Sequence, residues 1–366
     1  MTANAASGGG QFAVSETGTL VFTPGQGISG GTPIVWLNRD GTSAPLRPTS
    51  ARFSNLQFSP DGQRLAMDIT DGKQSDVWMY EWARDRLTRL TFDPADDIKP
   101  VWTPDGRRLV FASSRADKRP GTIRALSLYW QRADSTGGVQ RLTTSTLSHL
   151  PASWHPSGRF LAYTAINANT GKQDIMILPM QGDEASGWTP GTPTTFLATP
   201  FGGAEPAFSP DGKWIAYQSN ESGPFEVYVR PFPGPGGQWK ISTTAAAVPM
   251  WSRTRHELMF VTPDGPLFAP YTTSGDSFRA EKPRAWATGG PFSQGVGRGS
   301  LTLSTGNASL LSQRFFAMHP DGERLAIGAI ALAPVAQTAA GAKQDHVTFI
   351  FNFFDELLRI APVTKR

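Results

Sequence analysis

The sequence predicts an all-β protein, a β-propeller of four-stranded antiparallel blades, with seven blades as the first count and six as the alternative. Three observations support this prediction. A ten-residue phrase recurs, as in "FSPDGQRLAM" from Phe58, "WTPDGRRLVF" from Trp102 and "FSPDGKWIAY" from Phe208. Each copy continues into segments that alternate polar and apolar residues, which is the period of a strand. The copies also return at intervals close to the roughly 40–45 residues of a propeller blade.

The glycine of the repeated phrase marks seven positions along the chain. They are Gly18, Gly62, Gly106, Gly158, Gly212, Arg255 (in the glycine slot) and Gly322. We expect one domain over residues 1–366, with repeat units at 10–48, 49–92, 93–145, 146–199, 200–243, 244–288 and 308–354. The predicted insertion loops are 289–307 and 331–345, and a short C-terminal helix is predicted at 353–361.

The phrase Ser-Pro-Asp-Gly predicts a tight turn between two strands. Proline presets φ for the turn, aspartate can accept hydrogen bonds from the following backbone, and glycine supplies a positive φ. The aspartates could instead be read as metal ligands, but a ring would place them in equivalent turns of separate blades. We therefore interpret them as structural residues: Asp61, Gly62, Asp105, Gly106, Asp211, Gly212, Asp321 and Gly322.

Two further short strands follow the turn in most copies. After Gly212 these are "EVYVR" (226–230) and "WKIS" (239–242). A single four-stranded sheet cannot bury both of its faces, so the units have to stack on one another. Closure of the stack into a ring removes most exposed strand edges, and this gives a propeller with a central channel.

Composition excludes several classes of function. The formal net charge of the 366 residues is +4, from 34 basic and 30 acidic residues, and this mild balance does not indicate a nucleic-acid partner. Cysteine is absent, so disulfides and thiol chemistry are excluded. We find no apolar run long enough for a membrane segment and no signal peptide in "MTANAASGGG". The expected state is a monomer.

The repeated phrase resembles the WD40-like propeller repeats of TolB-type proteins. Three longer phrases, "RLTFDPADDIKPVWTPDGRRLVF", "SNESGPFEVYVRPFPGPGGQWKIS" and "HVTFIFNFFDELLRI", resemble the C-terminal propeller region of bacterial membrane-anchored serine/threonine kinases. In that family the propeller lies outside the cytoplasm as a sensor, so the resemblance implies a periplasmic or extracellular location. The chain lacks the glycine-rich, HRD and DFG motifs of a kinase, so the resemblance carries no kinase activity.

Polar residues precede the first strand of several units, where that strand would reach a mouth of the channel. The stretches "DDIKPVW", "SHLPASW" and "GGAEPAF" align at this point. They place five candidate ligand-binding residues at the mouth: Asp96, Asp97, Lys99, His149 and Glu205. The alternative interpretation is an ordinary polar rim.

These observations favour a non-catalytic propeller that binds a protein, a peptide or a small ligand at the channel mouth, with no cofactor. It would be the sensor or interaction part of a bacterial signalling protein. The alternative is a metal-assisted hydrolase or lyase that holds a divalent ion such as calcium in the channel. Its ligands would be Asp97, His149 and Glu205.

Overall fold

The computed structural model describes residues 12–14, 20–22, 32–117, 125–287, 314–328 and 348–350. The chain divides into two compact units, one formed by residues 1–31 with 336–366 and the other by residues 32–335. The predicted insertion loops 289–307 and 331–345 and the predicted helix 353–361 lie outside the described residues.

The smaller unit contains a three-stranded antiparallel sheet. Its strands are β1 (Phe12–Val14), β2 (Leu20–Phe22) and β29 (Thr348–Ile350), in the order β1-β2-β29. Leu20 pairs with Ile350, so the sheet joins segments from opposite ends of the chain.

The described part of the larger unit forms six antiparallel sheets, which we call blades 1 to 6. The inner strand of each blade comes first in the following lists. Blade 1 contains β5 (Phe53–Phe58), β6 (Leu65–Thr70), β7 (Ser75–Glu81) and β8 (Arg86–Arg89), with a 3-10 helix at Trp82–Arg84. Blade 2 contains β9 (Asp97–Trp102), β10 (Arg108–Ser113), β11 (Ser127–Arg132) and β12 (Gln140–Arg141).

Blades 3 to 5 follow the same plan, and two of them carry an extra outer strand. Blade 3 contains β13 (Ser148–Trp154), β14 (Phe160–Ile166), β15 (Gln173–Asp183) and β17 (Thr194–Leu197), with β16 (Gly187–Pro190) also paired to β15. Blade 4 contains β18 (Gly203–Phe208), β19 (Trp214–Ser219), β20 (Glu226–Pro231) and β21 (Trp239–Lys240). Blade 5 contains β22 (Ala247–Trp251), β23 (Glu257–Thr262), β24 (Gly265–Ser274) and β26 (Arg284–Ala285), with β25 (Ser277–Ala280) also paired to β24.

Blade 6 combines two distant segments of the chain. Its inner strands are β27 (Phe316–Met318) and β28 (Arg324–Gly328), and its outer strands are β3 (Thr32–Asn38) and β4 (Ser43–Ala51). The pairing of β28 with β3 closes the ring through hydrogen bonds. The expectation of seven blades is therefore wrong, and the described residues form the six of the alternative count. The first and last repeats were counted as separate blades, but each supplies half of one sheet.

Apolar clusters fill the interfaces between neighbouring blades. Blades 3 and 4 share a cluster that includes Ile177, Phe208 and Tyr217, and blades 5 and 6 share one that includes Met259 and Leu325. Equivalent clusters lie at the other four interfaces. Each four-stranded sheet is thus buried on both faces only because it has two neighbours, which is the physical reason for the ring.

The repeated turns connect the inner strand of a blade to the second strand. In blade 1 the Gly62 amide donates to the Ser59 carbonyl (2.9 Å), and the Gln63 amide donates to the Asp61 carboxylate (3.0 Å). Burial acts to raise the pKa of Asp61, but the bonds from the Ser59 hydroxyl and the Gln63 amide outweigh it and lower the pKa. The same carboxylate bond recurs at Asp105, Asp211 and Asp321 (3.0, 3.1 and 2.8 Å), and Gly106, Gly212 and Gly322 follow with positive φ.

Candidate functional site

Four inner strands share a distortion three residues before their final aromatic side chain. Asn55, Lys99, Glu205 and Val248 have φ between 53° and 55°, in the left-handed region, and the strand register shifts at each of these points. A β-bulge of this kind redirects the side chain of the bulged residue. The equivalent residue of blade 3 is Pro151, whose ring forbids a positive φ.

Three of the four bulges form a hydrogen bond with the blade that precedes them in the chain. The backbone amide of the bulged residue donates to a side chain on the second strand of that blade. The three bonds are Lys99 to Asp68 (2.9 Å), Glu205 to Thr164 (3.2 Å) and Val248 to Gln218 (3.0 Å). The sheets are therefore linked near the axis by side chain–backbone bonds as well as by apolar packing.

Three charged side chains meet close to the axis, and we call Lys99, Glu205 and Arg314 the ion cluster. The Lys99 ammonium donates to Glu205 Oε1, and Arg314 donates to Glu205 Oε2 from Nε (2.6 Å) and Nη2 (2.5 Å). The side chains of Lys99 and Glu205 are both 3% exposed, and that of Arg314 is 15% exposed. Because these residues belong to blades 2 and 4 and to the segment that leads into blade 6, the cluster links alternate blades of the ring.

Burial controls the ionisation of the ion cluster and its surroundings. Desolvation lowers the pKa of Lys99, and the positive charge of Arg314 adds to this effect, while Glu205 opposes it. Desolvation likewise raises the pKa of Asp68, although Ser54, Asn55 and the Lys99 amide all donate hydrogen bonds to its carboxylate. Pairing is required here, because a buried charge without a partner costs several kcal/mol.

The other predicted mouth residues have partners of their own. Asp97 is fully buried and accepts two bonds from Arg115 (2.9 and 2.8 Å), while Asp96 accepts the Ser75 amide (2.8 Å). Burial raises the pKa of Asp97 even with Arg115 beside it. Of the five residues predicted at the channel mouth, the structure brings Lys99 and Glu205 into contact and places Asp96 and Asp97 in separate local bonds.

His149 is also buried in a separate environment. Its Nδ1 lies 2.9 Å from Thr143 Oγ1, and its ring centroid lies 4.8 Å from that of Tyr163. Burial, with the nearby charge of Arg141, lowers the pKa of His149 to about 4. The described residues contain no group of three His, Asp or Glu side chains able to hold a metal ion, so Asp97, His149 and Glu205 are not gathered into a metal site there.

A cavity of about 430 Å³ opens along the axis on the side of the repeated turns, and we call it the axial cavity. Residues from all six inner strands line it. Its wall includes the large side chains that end those strands: Phe58, Trp102, Trp154, Phe208, Trp251 and Met318. Turn residues form its rim: Pro104, Pro156, Pro210, Pro320 and Arg253. The volume falls within the range of roughly 300–1,000 Å³ that is usual for ligand sites.

The ion cluster lies at the inner end of the axial cavity. Arg314 lines the cavity and also binds Glu205. Along each inner strand, the cavity is lined by the residues between the bulge and the turn, such as Leu56 and Ala207. On the strands of blades 2 and 4, one proline separates the lining residue from the bulged Lys99 or Glu205, so the charged side chains lie two residues beyond the apolar wall.

Sequence reasoning missed Arg314 and Arg253. Arg314 lies four residues before Met318, whereas Lys99 lies three residues before Trp102, so aligning the repeats does not match the two positions. Arg253 occupies the slot that is proline in five other turns, and this departure from the repeat was the signal that could have found it.

Comparisons with known proteins agree with this architecture. Residues 49–200 match the family model described as the TolB beta propeller domain. The uncharacterized peptidase YuxL of Bacillus subtilis is 25% identical over 211 residues, which cover 47% of this chain and 31% of YuxL. The Tol-Pal system protein TolB of Anaeromyxobacter dehalogenans (strain 2CP-C) is 34% identical over 74 residues, which cover 20% of this chain and 17% of that protein. The matches thus span less than a third of either relative.

One solved structure extends the likeness to most of the chain. It is assigned to TolB of Agrobacterium tumefaciens and superimposes with a TM-score of 0.55 at 17% identity. The match covers 82% of this chain and 98% of that chain. Among the described residues, no helix has the length and apolarity needed to cross a membrane. Residues 49–200 thus match the TolB beta propeller model, and they lie within the six-bladed ring that the described residues form.

Proposed function

We propose that this propeller is a non-catalytic binding module whose ligand enters the axial cavity from the side of the repeated turns. The observation that carries the proposal is the axial cavity itself. It opens at a rim of turn residues, has walls of large apolar side chains, and ends at the ion cluster. A cavity with these features suits an extended peptide segment or a small molecule of similar size.

The contacts of the buried acids support a binding role. The described residues show no metal-binding group, and the buried acids nearest the axis are committed to partners, Glu205 to Lys99 and Arg314 and Asp97 to Arg115. None of these carboxylates is placed to act on a molecule in the axial cavity. The resemblance to kinase-associated propellers and the match to TolB support a sensor or interaction role on the periplasmic or extracellular side.

A cavity-blocking variant tests the proposal. Ala207 lines the axial cavity, is only partly buried and packs against the apolar cluster that blades 4 and 5 share. Ala207→Trp would therefore narrow the cavity, and its melting temperature, measured beside that of the wild type, shows whether the variant stays folded. Peptides selected from a random displayed library on the wild-type protein should lose binding to this variant. The matched control is Ala185→Trp, in an exposed turn of blade 3, which should retain binding.

Two results would contradict the proposal. The first is equal binding of the selected peptides to the Ala207→Trp variant and the wild type. The second is native mass spectrometry that finds a stoichiometric divalent ion together with metal-dependent hydrolysis of an ester or phosphoester by the purified protein.

A further inference from the structure

Both charged residues in the described lining of the axial cavity are arginines. Among the residues that the structure describes, the lining includes Arg253 at the rim and Arg314 at the inner end, and no aspartate or glutamate. The rest of the wall consists of apolar residues and a few neutral polar groups such as Gln57 and Ser153. The large apolar side chains and the two arginines of this wall complement a ligand that combines an apolar portion with a negative charge at one end.

The two arginines differ in how far their charge is already neutralised. Arg314 binds the Glu205 carboxylate through two nitrogens. Among the described residues, the one hydrogen-bond partner of the Arg253 guanidinium is a carbonyl, because Nη1 donates to the Pro60 oxygen (3.2 Å). Within the described residues, no carboxylate forms an ion pair with Arg253, and its side chain is exposed. Desolvation at the rim lowers the pKa of Arg253, but a guanidinium stays protonated at neutral pH, so Arg253 offers an incoming anion N–H donors and a positive charge.

The position of Arg253 fits this role. It occupies the turn slot that holds proline in five other repeats. It extends from blade 5 to the turn of blade 1, past the intervening blade 6, so it crosses part of the rim. Because a proline in this slot offers no donor, the guanidinium breaks the near-symmetry of the rim at one point.

We propose that the axial cavity takes an anionic ligand with an apolar body, and that Arg253 binds the anionic group at the rim while the aromatic wall holds the body. This inference rests on the proposed function of the same cavity. Guanidinium groups bind carboxylate, sulfonate and phosphate oxygens through two parallel N–H donors. Arg253 would therefore recognise the anion by its charge and by the spacing of its oxygens.

Two fluorescent probes that differ by one charged group test the proposal. 1-Anilinonaphthalene-8-sulfonate is anionic, and N-phenyl-1-naphthylamine has the same rings without the sulfonate. We expect the anionic probe to bind the wild-type protein at one site. Arg253→Gln should weaken that binding roughly tenfold, the size of one charge-assisted hydrogen bond. Arg253→Lys should retain part of the affinity, and added salt should weaken binding of the anionic probe alone.

The neutral probe and two control variants separate the possible outcomes. Arg107→Gln removes an exposed arginine on the same face that does not line the cavity, and it should change neither probe. One outcome would overturn anion selection and leave the cavity as a binding site. In that outcome both probes bind the wild type, Ala207→Trp abolishes the binding of both, and Arg253→Gln changes the affinity of neither. If neither probe binds, or if Ala207→Trp has no effect on them, the proposed function fails as well.

Discussion

Two levels along the axis are built from the same inner strands and have opposite chemistry. At the turn end the strands finish in large apolar side chains, and the axial cavity lies between them. Near the middle of the strands, at what we call the ionic end of the cavity, bulges carry Lys99 and Glu205 into contact with each other and with Arg314. A shift of only a few residues along a strand thus changes the axis from an open apolar cavity to a closed ionic contact. The same inner strands therefore line the axial cavity and carry the charged residues at its inner end.

The largest expected effect is at the ionic end. Glu205→Ala leaves Lys99 and Arg314 without their shared carboxylate, and Lys99 is almost fully buried. Removing one partner of a buried ion pair typically costs about 3–5 kcal/mol of the free energy of unfolding. Chemical denaturation at neutral pH measures this loss. The control is Glu281→Ala, which breaks an exposed ion pair with Arg284 and should cost less than about 0.5 kcal/mol. Equal losses of unfolding free energy in the two variants would contradict the prediction that the buried cluster matters more.

A second test uses the pH dependence of His149, which is buried on the inner strand of blade 3. Its pKa is lowered from 6.5 to about 4, so the unfolded chain binds more protons between these values. The stabilisation is complete above pH 6.5 and is lost as the pH falls toward 4, for a total of about 3 kcal/mol. Urea unfolding at pH 7 and pH 4.5 should show a steeper loss for the wild type than for His149→Asn. Parallel losses would mean that His149 is accessible to protons in the folded state.

A smaller effect is expected at the turn end, where two glycines with nearly the same backbone differ in their surroundings. A Cβ at Gly212 would lie 2.2 Å from His155 Nε2, whereas a Cβ at Gly158 would have no atom within 4 Å. Both have positive φ, so alanine at either position costs about 1 kcal/mol in backbone strain. The clash adds to this only at Gly212, so Gly212→Ala should lower the melting temperature more than Gly158→Ala. Equal shifts would show that His155 moves aside freely.

Sequence could predict the parts of this fold that repeat locally. The turn at Asp61 and Gly62, the strands after it and the stacking of sheets all follow from patterns within one unit. The number of blades did not follow, because the pairing of Ala326 with Trp36 joins segments from opposite ends of the chain. No local pattern encodes such a pairing.

The candidate site could be predicted in the same partial way. Lys99 and Glu205 occupy matching positions of two repeats, so alignment placed them in one group of candidates, but it did not indicate that the two would pair. Arg314 was missed because Phe315 occupies the matching position in its repeat. The separate pairing of Asp97 with Arg115 could not be foreseen, since it depends on the course of the chain after β10. The charged residues of one repeat are thus predictable only as candidates until the ring places them.

The central claim of this account is that the ion cluster links different blades near the axis. The most direct test of this claim is a double-mutant cycle between Lys99 and Glu205, which lie in blades 2 and 4. Lys99→Met and Glu205→Leu should each destabilise the protein, and the double variant should lose at least 1 kcal/mol less than the sum of the single losses. Losses that simply add would show that the two side chains do not interact across the axis, and they would contradict this account.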